Sequence, residues 1–414
     1  MPNLIPLLLA GSRKSSELLD SFAGQRVALK RAYEKDAHRV LRLGRARATR
    51  YAARRTLAGL SSDEFPVFRV DSAGRIAPAG TLMTLEADES VWLPDETIVD
   101  GLPPEMHDIA PRGFLGRSFV RRHAELGLPN DVRDWSDNHV LRAISQRGED
   151  LPGNLVVGRE SFDRYQQLRA NETAEKDFPA RAMAALAGEH IGSSAGGEQP
   201  KFTALLDGQH RIVKFATNAT DNARRWQDLL ALEHVALQTL ADAGIDAAES
   251  QLKDADGMRF LVITRFDRVA EQGRRAVLTL TAASGRANAS WADAAYEMLQ
   301  SKELNEAGFR RIALLDAFGA QIANTDRHLY NVSLFPSDHG YEVAPAYDQL
   351  PMAYAPPASG HLRMTLVDEA VPAVNTLDVW DEATVLASDF WRRAAELTLS
   401  DDMRMIVKQH VARL

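Results

Sequence analysis

The stretch Asn324-Thr325-Asp326-Arg327-His328-Leu329-Tyr330-Asn331-Val332-Ser333-Leu334-Phe335, followed by Ala344-Pro345-Ala346-Tyr347-Asp348, decides how this chain is read. It sets out an Asp, an Asn five residues later, and a second Asp after a short strand-like run. In that layout the first Asp can orient an attacking hydroxyl, while the Asn and the second Asp can hold Mg²⁺ against ATP phosphates. Asp326 is therefore the catalytic candidate, and Asn331 and Asp348 the metal candidates. An Asp-x₄-Asn spacing often arises by chance, so the segments upstream carry much of the weight.

Residues 307–323 bring Phe309, Ile312, Leu315, Phe318 and Ile322 to one side and predict a helix leading straight into the Asp326 loop. Further upstream, Phe260-Leu261-Val262-Ile263-Thr264-Arg265-Phe266-Asp267 is an apolar strand with a polar end. It suits a hinge between two lobes, where backbone groups would read adenine. Ser193-Ser194-Ala195-Gly196-Gly197-Glu198-Gln199-Pro200-Lys201 joins a small glycine-rich loop to another apolar strand. Adjacent glycines let backbone amides approach phosphate oxygens without a Cβ clash. The loop is neither Walker A nor G-x-G-x-x-G, and alone it reads equally well as a hairpin turn. The next strand, Arg211-Ile212-Val213-Lys214-Phe215, places a single Lys where a nucleotide's α- and β-phosphates are met in phosphotransfer enzymes. The bland alternative is a lysine whose stem lies along the sheet with its ammonium in water. Residues 226–242 predict a helix in which Glu233 can pair with Lys214. Glycine loop, strand Lys, hinge strand, Asp-x₄-Asn and strand Asp, in that order, are far more restrictive than any one of them.

The N-terminal end has a different character. Residues 1–60 carry 13 Lys and Arg against 4 Asp and Glu, a net of +9 within a chain of net charge −8. A basic end on an acidic body points to a polyanion-binding module. Leu4 to Leu9 predict a short helix, Ser15 and Ser16 cap a second carrying Leu18, Leu19 and Phe22, and residues 25–36 predict a third. Val27 and Leu29 are expected to face in, with Gln25, Arg26, Lys30 and Arg31 facing out. Val40-Leu41 and Leu43, a turn at Gly44 to Arg47, and Thr49 to Ala52 read as a basic hairpin. Three helices and a hairpin resemble a winged helix-turn-helix, in which the third helix enters the major groove and the wing meets phosphates. Arg26, Lys30, Arg31, Arg42, Arg45, Arg47 and Arg50 are the candidate DNA contacts. The alternative is a solvated basic face on a small interaction domain.

The 414 residues suffice for two or three domains. No apolar run reaches the roughly 18 residues a membrane span needs, and the start lacks the marks of a signal peptide. The chain has no cysteine, which excludes disulfides, thiolate metal sites and Cys nucleophiles and fits a cytoplasmic, nucleoid-associated location. Residues 56–64 read as a linker. Short strands follow at Val67–Val70, Ile76, Thr81–Leu85 and Val91–Leu93, with helices over 114–126 and 137–147 and a strand entered at Leu155. Trp92, Phe119 and Trp135 read as packing residues.

Taken together, the segments around Ser194–Lys201, Val213-Lys214, Arg265-Phe266-Asp267-Arg268, Thr325-Asp326-Arg327-His328 with Asn331, and Pro345-Ala346-Tyr347-Asp348 resemble the HipA family of bacterial serine/threonine kinases. Members are often toxins of type II toxin–antitoxin pairs. The resemblance runs from about residue 65 to near the C-terminus, and the basic N-terminus makes the chain look most like the YjjJ-type members. It implies that Gly196, Gly197, Glu198, Gln199 and Lys201 cover the nucleotide, that Lys214 contacts its phosphates, and that Thr264, Arg265 and Phe266 hold adenine. His328 and Tyr347 fall within the same motifs and join the cofactor-binding set. It also implies phosphorylation of the loop serine Ser194, with Ser193 as its neighbour. Such a phosphate would lie where ATP phosphates bind and would switch the enzyme off by repulsion. One departure is Thr264, where the family often has an acidic residue; a backbone contact survives that change. The other is the basic module, which leaves open whether the chain needs a separate antitoxin.

The expected architecture is α+β: a winged helix-turn-helix over 1–60, a HipA-like N-terminal lobe over 65–265 with a small β-rich part and a nucleotide-loop part, and a mostly helical catalytic lobe over 266–414. The expected function is an ATP- and Mg²⁺-dependent protein serine/threonine kinase with a protein substrate, DNA as a second partner and no membrane association. A homodimer fits modules that read paired half-sites. Two alternatives remain: a DNA-binding regulator whose kinase fold only senses nucleotide or is inactive, and a metal-dependent nuclease built on Asp326 and Asp348.

Overall fold

Apolar side chains at helical spacing draw the first sixty residues around Leu4, Leu8, Leu18, Phe22, Leu29 and Val40, with Tyr51 closing the cluster. The computed structural model describes residues 3–168, 171–186, 199–357 and 362–414. Two units are distinguished, one of Met1–Val70, Arg75–Ala110 and His123–Leu168, the other of Asp71–Gly74, Pro111–Arg122 and Arg169–Leu414.

The first unit begins with α1 (Ile5–Leu8), β1 (Arg13–Lys14), α2 (Ser15–Leu19), α3 (Arg26–Asp36), β2 (Val40–Leu43) and β3 (Arg50–Ala53). Its strands form a small antiparallel sheet in the order β1-β3-β2. The two-residue β1 was not anticipated, because two residues show no periodicity. Two expectations need correction. Ser15 and Ser16 do not cap α2 but lie inside its first turn; Lys14 is the cap position, and its amide donates to Glu17 Oε2 at 3.0 Å. Val27 does not face the core: it is 63 % exposed, while Leu29 and Ala32 are buried. At 100° per residue Val27 sits about 200° from Leu29, so the two cannot share a face.

The rest of this unit is a five-stranded antiparallel sheet of β4 (Glu64–Val70), β5 (Ile76–Thr84), β6 (Glu89–Leu93), β7 (Ile98–Asp100) and, after the intervening helices, β8 (Leu155–Val157), ordered β7-β6-β5-β4-β8. Among the helices here are α4 (Pro104–Asp108), α6 (Asp137–Arg147) and α7 (Arg159–Gln167), while α5 (Gly113–Arg122) belongs to the second unit. Before Glu64 the chain is irregular, and Arg54 grips Asp63 there with two bonds of 2.8 Å. The indoles of Trp92 and Trp135 each donate to a backbone oxygen at 2.9 Å, as packing residues with a polar edge do.

The second unit opens with α8 (Phe178–Leu186) and a four-stranded antiparallel sheet of β9 (Lys201–Leu206), β10 (Gln209–Ala216), β11 (Ser250–Ala255) and β12 (Met258–Thr264), ordered β11-β12-β10-β9. The long helix α9 (Asp221–Asp242) packs on it. α9 starts five residues earlier than the apolar spacing indicated, because Thr220 caps it by accepting the amide of Ala223 at 3.1 Å. Short strands β13 (Arg268–Val269), β14 (Gly273–Arg274) and β15 (Leu278–Thr279) lead to α10 (Leu280–Ser284), α11 (Trp291–Gln300) and α12 (Glu306–Gln321). Strand β16 (Ser333–Ser337) pairs with β15 on one side and with β17 (Gly340–Val343) on the other, and α13 (Trp380–Ala394) and α14 (Asp401–Val411) close the unit. One large apolar core joins α9 to α11, α12, α13 and α14 through Leu229, Trp291, Ile312, Phe318, Phe390 and Ile406. No described helix is long and apolar enough to cross a membrane.

Candidate active site

Lys214 points from β10 toward α9 and meets two carboxylates at once. Its ammonium lies 2.7 and 2.8 Å from the two oxygens of Glu233, on α9, and bonds to Asp348 as well. Alternation along β10 turns Lys214 to the face that α9 covers, and Glu233 sits on the buried side of that helix. Burial alone would lower the ammonium, but Asp348 and Glu233 hold it above its ordinary value. Burial would raise Asp348, yet Lys214 and then Lys201 bring it down to about 2. Glu233 ends above its ordinary range because burial outweighs what Lys214 returns. One cation is thus shared by two carboxylates. The balance favours ionised Asp348, which keeps a quarter of its side chain exposed, over the fully enclosed Glu233.

Asp348 sits at φ 53°, in the left-handed region, which Asp enters more readily than most residues. Its carbonyl accepts Asn324 Nδ2 at 3.2 Å, and Asn324 Oδ1 accepts the Asp326 amide at 3.0 Å. The wholly buried Asn324 therefore ties both aspartates into one loop frame. Sequence reasoning missed it, although an Asn whose side chain accepts the amide two residues on is a known turn signature. Asn331 Nδ2 closes the loop on the Asp326 carbonyl at 2.9 Å. The Asp326 carboxylate is about half exposed and lies 3.6 Å from His328 Nε2. Burial raises it, His328 offsets part of that rise, and Asp348 adds to it. Asp348 and Lys201 thus link Lys214 and Glu233 electrostatically to Asp326 and His328.

The hinge residues are mostly committed. The amides of Thr264 and Arg265 donate to Glu249 and His210 carbonyls at 2.9 and 3.0 Å, and the Arg265 side chain grips Asp267 with two 2.9 Å bonds. Phe266 packs against Phe335 and Tyr347, with centroids 5.8 and 5.6 Å apart. The Tyr347 hydroxyl bonds to the Tyr330 carbonyl at 2.8 Å. Gln199 donates to the Phe215 carbonyl, which anchors the end of the glycine loop to β10. Ser193, Ser194, Gly196, Gly197 and Glu198 lie outside the described residues.

Among the described residues no group of three His, Asp or Glu is arranged to hold a metal ion. The donor set nevertheless fits Mg²⁺, which commonly takes one or two carboxylates and completes its shell with water and substrate phosphates. An ionised Asp348, tied through Asn324 to the loop that Asn331 closes, is a donor set of that kind.

In the N-terminal segment Arg26, Lys30, Arg31, Arg42, Arg45 and Arg47 are exposed. Arg50 is half-buried, its guanidinium bonded to the Ser12 carbonyl at 3.2 Å and hydroxyl at 2.8 Å.

The family model described as HipA-like C-terminal domain matches residues 193–414, and one described as YjjJ-like toxin, middle domain, matches residues 61–166. The chain belongs to the HipA family. It is 34 % identical to Toxin YjjJ of Escherichia coli (strain K12), over 99 % of this chain and 96 % of that protein. Its fold is that of HipA from Shewanella oneidensis MR-1, solved with HipB and operator DNA: TM-score 0.57, 16 % identity, 84 % of this chain and 95 % of that one. The kinase CtkA of Helicobacter pylori matches over 51 % of this chain and 89 % of that one, with TM-score 0.36 and 11 % identity. The resemblance drawn from the motifs is thereby established, as is a mixed α and β architecture of HipA type.

Proposed function

We propose that this HipA-family chain is an ATP- and Mg²⁺-dependent protein serine/threonine kinase carrying its own DNA-binding module. The observation that carries the reading is the ion pair of Lys214 with Glu233 and its bond to Asp348, beside the Asp326 loop. A strand lysine held by a helix glutamate next to a metal-binding aspartate is the arrangement that phosphoryl transfer from ATP uses. Lys214 would meet the nucleotide phosphates, and Gly196 to Lys201 would cover them. Asp326, raised by burial, would orient the substrate hydroxyl and accept its proton. Asn331 and Asp348 would hold Mg²⁺, which when bound offsets charge on the transferring phosphoryl group. Thr264 to Phe266 would border the adenine, through carbonyl oxygen and the Phe266 ring rather than through the engaged amides. Ser194, or its neighbour Ser193, is the proposed self-modification site.

The first sixty residues are proposed as a winged helix-turn-helix. The order α1-β1-α2-α3-β2-β3 with sheet order β1-β3-β2, and exposed cations on α3 and the β2–β3 turn, support it. Residues 65–265 and 266–414 would be the two lobes. The relative named as a toxin supports a role in a toxin–antitoxin system.

Incubation with Mg²⁺ and ATP tests the reading, with mass spectrometry of Ser194 and of added lysate as readout. Asp326→Ala is expected to lower phosphate incorporation by at least about 100-fold. Equal incorporation by the two proteins would remove the assignment.

A further inference from the structure

We propose that Asp316, a buried residue of α12 outside every motif above, is the positioning residue that sets the Asp326 loop for phosphoryl transfer. The inference rests on the kinase reading for its activity arm only.

Asp316 is 5 % exposed and divides its two oxygens between two partners. Oδ1 accepts Arg327 Nε at 2.9 Å, and Oδ2 accepts the Ala292 amide at 3.1 Å. Each partner then reaches the loop. Arg327 donates from Nη1 to the Asn324 carbonyl. Ala292 lies in the first turn of α11, and its neighbour Trp291, fully buried, donates from Nε1 to the His328 carbonyl at 2.9 Å. The two carbonyls stand two residues before and two residues after Asp326. One carboxylate thus fixes both flanks of the loop.

Gly319 supplies an independent observation. It lies one turn beyond Asp316 on α12, and a Cβ there would come within 2.7 Å of Arg327 Cδ and 3.3 Å of Gln349 Oε1. The helix surface is left bare where the arginine stem crosses it. A glycine mid-helix lowers helix propensity, and here it leaves the space that Arg327 needs to reach Asp316.

If Asp316 acts through the loop, its loss changes turnover more than nucleotide capture, because Lys214 is held by Glu233 and Asp348 and not by Asp316. Asp316→Asn and Gly319→Ala serve as the two probes, the second because added helix propensity keeps the fold intact. Both are expected to lower kcat by roughly tenfold or more with KM for ATP within about twofold. Gly319→Ala is expected to hold or raise Tm while losing turnover, which a merely structural role would not produce. Hydrogen exchange supplies a readout free of activity: the amides of Asp326 and Asn331 should lose protection in Asp316→Asn while those of α9 keep theirs. Unchanged loop protection in both variants would overturn the inference even if the wild type proved inactive. Loss of ATP binding or global melting in parallel with turnover, in both variants, would overturn it as well. A wild type that transfers no phosphate, with the loop deprotected as expected, would instead remove the kinase reading and leave Asp316 as the anchor of the loop.

Discussion

On α3, β2 and the β2–β3 turn the cations stand in solvent, as Arg26, Lys30, Arg31, Arg42, Arg45 and Arg47 do, whereas Lys214 and Glu233 are enclosed and Lys214 is shared with the mostly buried Asp348. Exposed charge of one sign is a long-range device: it attracts a polyanion, is screened by salt, and tolerates small displacements. Enclosed charge is a geometric device. Its worth depends on partners within 3 Å and collapses when one is removed. Perturbation should therefore act on the two regions with different size and different dependence on solution conditions.

The largest difference is expected from Lys214→Met. It leaves Glu233 and Asp348 facing each other without their shared cation, and breaking a buried pair this way costs roughly 3–5 kcal/mol. For a unit of this size, Tm falls by on the order of 10 °C. Glu233→Gln should cost much less, because burial already holds Glu233 above its ordinary range and Asp348 keeps Lys214 paired. Calorimetry of both variants checks the asymmetry; a Lys214→Met protein melting like the wild type would mean that the cluster is not enclosed as described.

The next effect is a pH dependence with a definite sign. Asp348 lies at about 2 in the fold against an ordinary 3.8. A depressed carboxylate adds stability above the ordinary value and loses it as pH falls toward the folded one. The contribution is on the order of 2 kcal/mol. Asp326 and Glu233, both raised by burial, run the other way and gain on acidification. The measurement is therefore the gap in urea midpoint between wild type and Asp348→Asn, wide at about pH 6, roughly halved by about pH 3 and closing only below about pH 2. A gap that stays constant over that range would show that Asp348 is not held ionised by Lys214.

These two regions were not equally legible in the sequence. Helix order and charge placed α1, α2, α3 and the basic hairpin within a few residues, because each shows in local spacing. The candidate site was legible in its parts: Lys214, Glu233, Asp326, Asn331 and Asp348 follow from order along the chain. What joins them was not. Asn324 and Asp316 act through hydrogen bonds to backbone carbonyls and amides, and no periodicity marks a residue whose partner lies 24 positions away. Val27 departs from its expected inward place for the opposite reason: apolar character carries no direction, and helix phase relative to Leu29 decides it.

The smallest expected effect turns that misplacement into a test of the exposed region. Val27 lies in the first turn of α3 among Arg26, Lys30 and Arg31, where a recognition helix would present it to base edges. An apolar side chain there can meet a thymine methyl, a contact without charge. On a duplex selected from a randomised pool, Arg45→Ala and Arg47→Ala should each flatten the slope of log affinity against log salt by about 0.9. Val27→Ala should leave that slope alone and cost roughly 1 kcal/mol, the burial of about one or two methyl groups. Replacing thymine by uracil should remove the same increment from the wild type and nothing further from Val27→Ala. If Val27→Ala flattens the slope, or if neither methyl matters, α3 is an electrostatic surface and reads no base at that position.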